Sequence, residues 1–482
     1  MILVLDVGTT TLRAAVVDDA LDVVAVARRD HPPTTPFPGL VEFDAAELAR
    51  TVLDAAGEAL AAAGGPVAAV GITNQRASTV VWDRTTGAPV GPALGWQDLR
   101  TVMECIVAKS EHGLALAPNQ SATKLAWLLQ NTPDANGRDL CFGTLDTWLV
   151  WVLSDGSLHV TDHTNAAVTG LLQADGRDWN PAVLDALGIP ASVLPQLVDS
   201  SGIVGRATAL PGAPPISALV GDQQGSLVGQ GCVRPGRAKI TFGTGGMLDI
   251  CQGPQAPASG ARNEHGTFPI VAWSHNGQLT WGVEAIMLSA GTNVEWLRED
   301  LGLLATSAES HDVAATVADT GGVVYVPALL GLGTPQWDYG ARGALFGVTR
   351  GTERAHVVRA VLEGIAQRGG DLVAAAEGDT GLAIQTLRVD GGMSQNPTFV
   401  QALADATARP VEVSPTVEAT TRGAGFLAGL AVGMFGSIDD ADQAWTPAAV
   451  VEPRGTFDQQ RWRDAVARAG HWFPELSALE FS

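Results

Sequence analysis

The stretch Asp6-Val7-Gly8-Thr9-Thr10-Thr11-Leu12-Arg13 turns an apolar strand back on itself close to the N-terminus. Residues 2–5 before it form an unbroken apolar run, typical of a strand that is covered on both faces. Residues 14–17 after it are predicted to form the strand that runs back. The pattern recurs in the second half of the chain, where residues 238–242, the turn Gly243-Thr244-Gly245 and residues 247–250 follow one another. We interpret this as one strand–turn–strand unit used twice, which predicts an α/β fold with mixed sheets flanked by helices.

Gly-Thr turns of this kind let backbone N–H groups approach phosphate oxygens closely. Between the two turns lies Leu219-Val220-Gly221-Asp222-Gln223-Gln224-Gly225, which places a carboxylate between two glycines. An isolated Gly-Asp is usually only a turn. Between two phosphate-type turns, however, Asp222 is a candidate general base for a hydroxyl that accepts a phosphoryl group.

The composition indicates a soluble globular chain, with 46% hydrophobic and 17% charged residues, and a length of 482 residues would allow roughly three domains. The net charge of −22 and the lack of a basic run argue against a nucleic-acid partner. The four cysteines show no C-x-x-C spacing, so the sequence predicts neither a zinc site nor a redox motif.

No signal peptide is evident. Residues 423–438, the most apolar long segment, are shorter than the roughly 20 residues of a spanning helix and predict a buried helix. We therefore expect a cytoplasmic protein without a membrane partner. The sequence leaves open whether the chain forms a homo-oligomer.

Further motifs occur in a fixed order along the chain: Gly71-Ile72-Thr73-Asn74-Gln75-Arg76, Gly95-Trp96-Gln97-Asp98, Thr123-Lys124-Leu125-Ala126-Trp127, Gly143-Thr144-Leu145-Asp146-Thr147-Trp148, residues 331–352, and Asp390-Gly391-Gly392-Met393-Ser394-Gln395-Asn396. Together with the two turns they resemble the FGGY carbohydrate kinases over nearly the whole length, and among these most closely the glycerol kinases. The resemblance implies two ribonuclease H-like domains, as in actin-like ATPases, that face a central cleft. Residues 1–234 would bind the acceptor and carry the first phosphate hairpin, and residues 235–482 would bind the nucleotide.

The resemblance also implies roles for individual residues. ATP would be contacted by Gly8, Thr9, Thr10, Thr11, Arg13, Gly243, Thr244, Gly291, Gly392 and Asn396, and Mg²⁺ by Asp6. The acceptor would be contacted by Arg76, Trp96, Asp222 and Gln223, with Asp222 as the base. Simpler interpretations stay open from the residues themselves, because Asp6 could be an ordinary strand-end carboxylate, Arg76 a surface residue, Trp96 a core residue and Gly291 a packing glycine.

The sequence departs from the glycerol kinases where glycerol would be held. Ala77 stands where those enzymes have Glu, Asn119 where they have Tyr, and Met247 where they have Phe. Residues 190–215 lack their basic regulatory loop and are expected to form a surface connection. We therefore expect ATP-dependent phosphorylation of a primary hydroxyl on a polyol or sugar longer than glycerol. The alternatives are a glycerol kinase with a repacked pocket, an actin-like ATPase without an acceptor, and a sugar-responsive binding protein. Thr352 is expected to cap a helix.

Overall fold

The computed structural model describes residues 1–257, 260, 262–479 and 481, apart from the side chain of Asn136. The strands, in chain order, are β1 (Ile2–Val7), β2 (Thr11–Val17), β3 (Val23–Asp30), β4 (Glu42–Phe43), β5 (Ala69–Asn74), β6 (Val80–Asp83), β7 (Ala93–Leu94), β8 (Leu140–Gly143), β9 (Val160–Asp162), β10 (Gln196–Val198), β11 (Ser201–Arg206), β12 (Pro215–Gly221), β13 (Ala238–Phe242), β14 (Gly246–Gly253), β15 (Phe268–His275), β16 (Gln278–Met287), β17 (Val324–Val326), β18 (Ala344–Phe346), β19 (Leu387–Asp390), β20 (Val411–Val413) and β21 (Ala449–Val451).

The α-helices, in chain order, are α1 (Ala45–Ala63), α2 (Val102–His112), α3 (Ala122–Asn131), α4 (Leu145–Leu153), α5 (His163–Ala167), α6 (Pro181–Leu187), α7 (Asp222–Gly229), α8 (Gly291–Glu299), α9 (Glu309–Ala314), α10 (Arg354–Thr380), α11 (Pro397–Thr407), α12 (Ala419–Ala431), α13 (Asp440–Gln443), α14 (Gln459–Ala469) and α15 (Pro474–Ser477). Short 3₁₀ turns lie at Ala135–Gly137, Ala191–Val193 and Gly392–Gln395.

Both halves of the chain build the same strand order. The first half runs β3-β2-β1-β5-β12 and the second β16-β14-β13-β19-β20. In each, the first three strands pair antiparallel and the remaining pairs are parallel. The prediction of one unit used twice is therefore confirmed, as is the α/β class with two ribonuclease H-like halves.

The two halves share a single 13-stranded sheet. The link is β11, which pairs antiparallel with β12 and meets β15 through Ser201 and His275. The expectation that residues 190–215 form only a surface connection is therefore wrong. Their prolines lie outside β11, so its backbone N–H groups stay available for pairing. The buried Ser201 hydroxyl donates to the carbonyl of Leu427 at 2.8 Å.

Local chemistry explains where the long helices begin. The Asp44 carboxylate accepts from the N–H groups of Ala46 and Glu47, both at 2.9 Å, and thereby caps α1. The expected cap at Thr352 is wrong. Glu353 caps α10 in a capping box with His356, because a carboxylate there reaches the free N–H groups of the first turn.

Helix α12 follows the last parallel strand of the second half but packs on the sheet of the first half, against Ile2, Val4 and Val220. It crosses α7 with backbone touching backbone, since a Cβ on Gly229 would overlap the carbonyl of Ala419. The predicted buried helix within residues 423–438 is thus confirmed as far as Ala431. Among the described residues, no helix is long and apolar enough to cross a membrane.

Candidate active site

Asp222 lies at the junction of β12 and α7, beside the end of β5. Because β5 and β12 are parallel neighbours, their carboxyl ends deliver Arg76 and Asp222 to the same edge of the sheet. Arg76 Nε lies 3.4 Å from Asp222 Oδ1. Glycine is required at position 221, since a Cβ there would lie 2.8 Å from Arg76 Cδ. The structure therefore brings together two residues that the sequence placed in one site.

Arg76 also reaches into the second half of the chain. Its Nη2 donates to Glu284 Oε2 at 2.7 Å, and the two side chains are only 13% and 7% exposed. Burial raises the pKa of Glu284, and the Arg76 guanidinium opposes this. Arg76 Nη1 is buried and donates to no described residue. The sequence analysis missed Glu284, although a single carboxylate within the apolar run 281–287 was a usable signal.

The Asp222 carboxylate is 30% exposed, and burial raises its pKa. The Arg76 guanidinium and the N–H of Gln223, which donates to Asp222 Oδ1 at 2.8 Å, lower this pKa in part. Burial also raises the pKa of Asp6, with the charge of Asp222 adding to the shift. Both carboxylates of the site therefore have a raised pKa, mainly because both are buried.

The first hairpin and the predicted acceptor wall meet at Thr9. Gly8 N–H closes the turn onto the carbonyl of Thr11 at 3.0 Å, and Trp96 Nε1 donates to Thr9 Oγ1 at 3.2 Å. Trp96 therefore faces the hairpin instead of being enclosed in the core. The Thr10 carbonyl accepts a hydrogen bond from the backbone N–H of His31 at 2.7 Å.

Arg13 is engaged by carboxylates in this structure. Its Nη1 lies 3.5 Å from Asp6 Oδ2 and also pairs with Glu418. Thr421 on α12 donates to Asp6 Oδ2 at 3.1 Å. A phosphate contact by Arg13 stays a prediction, and Nε and Nη2 of the guanidinium offer further N–H donors for it.

The three positions that depart from the glycerol kinases lie on separate elements. Ala77 is buried with φ of 60°, a left-handed backbone that disfavours residues with a Cβ, and its carbonyl accepts from Ser121 Oγ at 3.0 Å. Asn119 is exposed in the turn before α3. Met247 is half-buried and lies on β14 opposite Ile286. The same α3 carries Lys124, whose ammonium donates to the Trp96 carbonyl at 3.0 Å. Burial lowers the pKa of Lys124 to about 7.

The other predicted nucleotide residues lie in the second half of the chain, where Gly291 packs on the second hairpin. Gly291 N–H donates to the Gly243 carbonyl at 2.9 Å, and the Thr244 carbonyl accepts from Ala290 N–H at 2.8 Å. Gly392 is exposed, with open space where a Cβ would lie. Asn396 is engaged in structure, since it caps α11 through Phe399 N–H at 3.1 Å and donates to Ser310 Oγ at 2.9 Å. A contact between Asn396 and the nucleotide base stays a prediction.

The packing at Gly291 makes the second hairpin testable. A Cβ at this position would lie 2.6 Å from the Gly243 carbonyl oxygen, so Gly291→Ala should displace the hairpin. We expect the KM for ATP to rise about tenfold or more, since small displacements of binding groups are costly. Gly57→Ala on α1, where a Cβ meets nothing within 4 Å, is the matched control. An unchanged KM for ATP in Gly291→Ala would contradict a nucleotide role for this hairpin.

Within the described ranges, no cluster of three or more His, Cys, Asp or Glu side chains could hold a metal ion. The site instead combines a carboxylate, a buried guanidinium and two hairpins of the phosphate-binding type, presented by two ribonuclease H-like halves. This arrangement defines an enzyme of the actin-like class that transfers phosphoryl groups.

Comparison with known proteins specifies the class further. The models of the FGGY family of carbohydrate kinases match residues 1–229 with the N-terminal domain and residues 238–432 with the C-terminal domain. Glycerol kinase from Alkalilimnicola ehrlichii is 43% identical, with 98% of each chain covered. Glycerol kinase from Deinococcus radiodurans is 41% identical, with 99% of each chain covered. The chain belongs to the FGGY family of carbohydrate kinases, and it is an ATP-dependent kinase of a small sugar or polyol.

Solved structures agree with this assignment. The structure of Plasmodium falciparum glycerol kinase with ADP is 30% identical, covers 97% of this chain and 98% of its own, and has a TM-score of 0.90. A xylulose kinase from Lactobacillus acidophilus has a TM-score of 0.82 at 21% identity, covering 99% of this chain and 97% of its own. The second similarity shows the fold alone.

Proposed function

We propose that this enzyme transfers the γ-phosphoryl group of ATP to a primary hydroxyl of glycerol, with glycerol 3-phosphate and ADP as products. The observation that carries the proposal is the buried Arg76, held by Glu284 beside Asp222, whose Nη1 has no hydrogen-bond partner among the described residues and could donate to an acceptor oxygen. Identities of 43% and 41% to glycerol kinases over nearly the whole chain favour glycerol over the longer acceptor expected from the sequence.

The chemistry follows from these groups. The acceptor hydroxyl attacks the γ-phosphorus while Asp222 takes its proton, so that an O–P bond forms and the bond to the β-phosphate oxygen breaks. Arg76 Nη1 and the Gln223 amide would orient the acceptor. The hairpins at Gly8 and Gly243 would donate N–H groups to the phosphates.

Asp6 is the residue we propose for Mg²⁺. Its buried carboxylate lies on β1, two residues before Gly8 of the first hairpin, and offers oxygen. Mg²⁺ retains several waters, so it needs only one or two carboxylates from the protein. When bound, the ion would neutralise charge on the β- and γ-phosphates.

A longer polyol or sugar is the second candidate acceptor, favoured by Ala77, Asn119 and Met247. A hydrogen bond to a charged group contributes roughly 1.5–3 kcal/mol, so the lack of a carboxylate at position 77 should cost glycerol about 10- to 150-fold unless another group compensates. Met247 also tolerates varied shapes, because its side chain is flexible.

ADP release, measured over a panel of glycerol, tetritols, pentitols, ketopentoses and small hydroxyketones, tests the proposal. We expect glycerol to give the highest kcat/KM. A longer acceptor with a higher kcat/KM would contradict the glycerol assignment and leave the kinase assignment intact. Rapid ADP release without any acceptor would instead indicate the actin-like ATPase alternative.

A further inference from the structure

Two fully buried charged residues lie behind the acceptor side of the site, and the chemistry above does not use them. Lys239 on β13 and Asp249 on β14 are both 0% exposed, and Lys239 Nζ lies 2.7 Å from Asp249 Oδ2. Replacing such a buried pair by apolar residues is often neutral or stabilising, because desolvating two charges costs more than their attraction returns. Stability alone therefore gives no reason for a charge pair at this position.

The pair belongs to a row of charged residues across the second half of the sheet. Lys239 lies directly opposite Asp249, and Asp249 lies directly opposite Glu284 on β16. Opposite residues in a sheet point to the same face, so all three side chains share one face. Glu284 is the residue that binds Arg76. The row therefore connects the interior of the second half to the acceptor side of the cleft.

The ammonium group of Lys239 contacts three side chains. It forms an ion pair with Asp249 and donates hydrogen bonds to Gln223 Oε1 at 2.7 Å and to Thr241 Oγ1 at 3.0 Å. An ammonium group can only donate, so the amide of Gln223 must turn its oxygen towards Lys239. The Nε2 group of Gln223 is thereby directed away from Lys239, and no described residue accepts a hydrogen bond from it.

We propose that Asp249 and Lys239 are positioning residues for phosphoryl transfer, which fix the Gln223 amide with its Nε2–H donors facing the acceptor oxygen. This inference rests on the proposed kinase function and on Gln223 as an acceptor contact. Asp249 holds the ammonium in place, and Lys239 transmits that position to Gln223. Neither residue touches the reacting atoms.

Steady-state kinetics of Asp249→Asn and Lys239→Met test the inference, with the acceptor of highest kcat/KM in the panel. We expect the KM for the acceptor to rise about two- to tenfold in both, since the displaced contact is a hydrogen bond between a neutral amide and the acceptor, while the KM for ATP stays unchanged. An unchanged KM for the acceptor would overturn the inference. Asp371→Asn, which removes the charge that pairs with the buried Arg368 on α10, is the control for a general loss of stability.

A double-mutant cycle identifies the route through Gln223. If Lys239 acts through this amide, Lys239→Met should raise the KM for the acceptor strongly in the wild type and little in a Gln223→Ala background. A merely structural role would give the same increase in both backgrounds. That outcome would overturn the inference.

The variant Lys239→Met/Asp249→Leu tests whether an acceptor defect arises only from a loss of stability. It replaces the charge pair by apolar side chains of similar size, so we expect a thermal unfolding midpoint at or above that of Lys239→Met together with the same acceptor defect. A wild-type KM for the acceptor in this variant would overturn the inference. A wild-type enzyme that phosphorylates no member of the panel would overturn the proposed function as well, which separates the two failures.

Discussion

Asp222→Asn is expected to lower kcat by about two to four orders of magnitude, the range that general base catalysis supplies. The amide keeps the shape of the side chain but cannot take the proton from the attacking hydroxyl. Calorimetric titration with ATP should show nucleotide affinity close to that of the wild type. Asp185→Asn, on the exposed side of α6, is the matched control and should leave kcat unchanged.

The pH dependence gives an independent measurement of the same role. Burial raises the pKa of Asp222, and a base acts only when it is deprotonated. For the wild type, kcat/KM should therefore fall as the pH drops through this raised pKa, and the fall should be absent in Asp222→Asn. A variant with near-wild-type turnover and an unchanged pH profile would remove Asp222 from the role of base.

Arg76→Met is expected to have the second-largest effect, on both stability and acceptor binding. It leaves Glu284 buried without its cation, which should cost about 3–5 kcal/mol in the free energy of unfolding. It also removes the free Nη1 donor, so the kcat/KM for the acceptor should fall about 10- to 150-fold. Denaturant unfolding and acceptor kinetics measure the two effects separately.

The double variant Arg76→Met/Glu284→Leu distinguishes stability from function. Removing both charges should recover most of the lost free energy of unfolding, since no unpaired carboxylate stays buried. The acceptor defect should persist, because the guanidinium is still missing. Recovery of acceptor kinetics together with stability would show that Arg76 serves only the fold.

Much of the site could be predicted because its signals are local. The turn at Gly8 and the turn at Gly243 need glycine and small hydroxyl residues within a few positions, so their sequences are recognisable. Asp222 was found for the same reason, since glycines flank it. The cap at Thr352 was mispredicted because Thr352 and Glu353 are adjacent and both can accept from a free N–H group.

Glu284, Lys239 and Asp249 were not found, because their neighbouring residues indicate strands, and only the charge of Glu284 within the apolar run 281–287 was a signal. Glu284 lies 208 residues from its partner Arg76 along the chain. From the sequence, Lys239 and Asp249 are predicted only to belong to two strands. Only the register of β13, β14 and β16 aligns them into one row that reaches Gln223.

The sequence by itself determined the repeated strand–turn–strand unit, the α/β class and the family. It also indicated Asp222 as the candidate base at the end of a strand. These depend on apolar periodicity and on backbone geometry over a few residues, which each segment carries independently. The tertiary structure decided the joining of the two halves through β11, the packing of α12 on the strands of the first half, and the ion-pair partners of Arg76 and Lys239. Such contacts depend on strand order and on the distance of approach between distant segments, and they form only when the whole chain has packed.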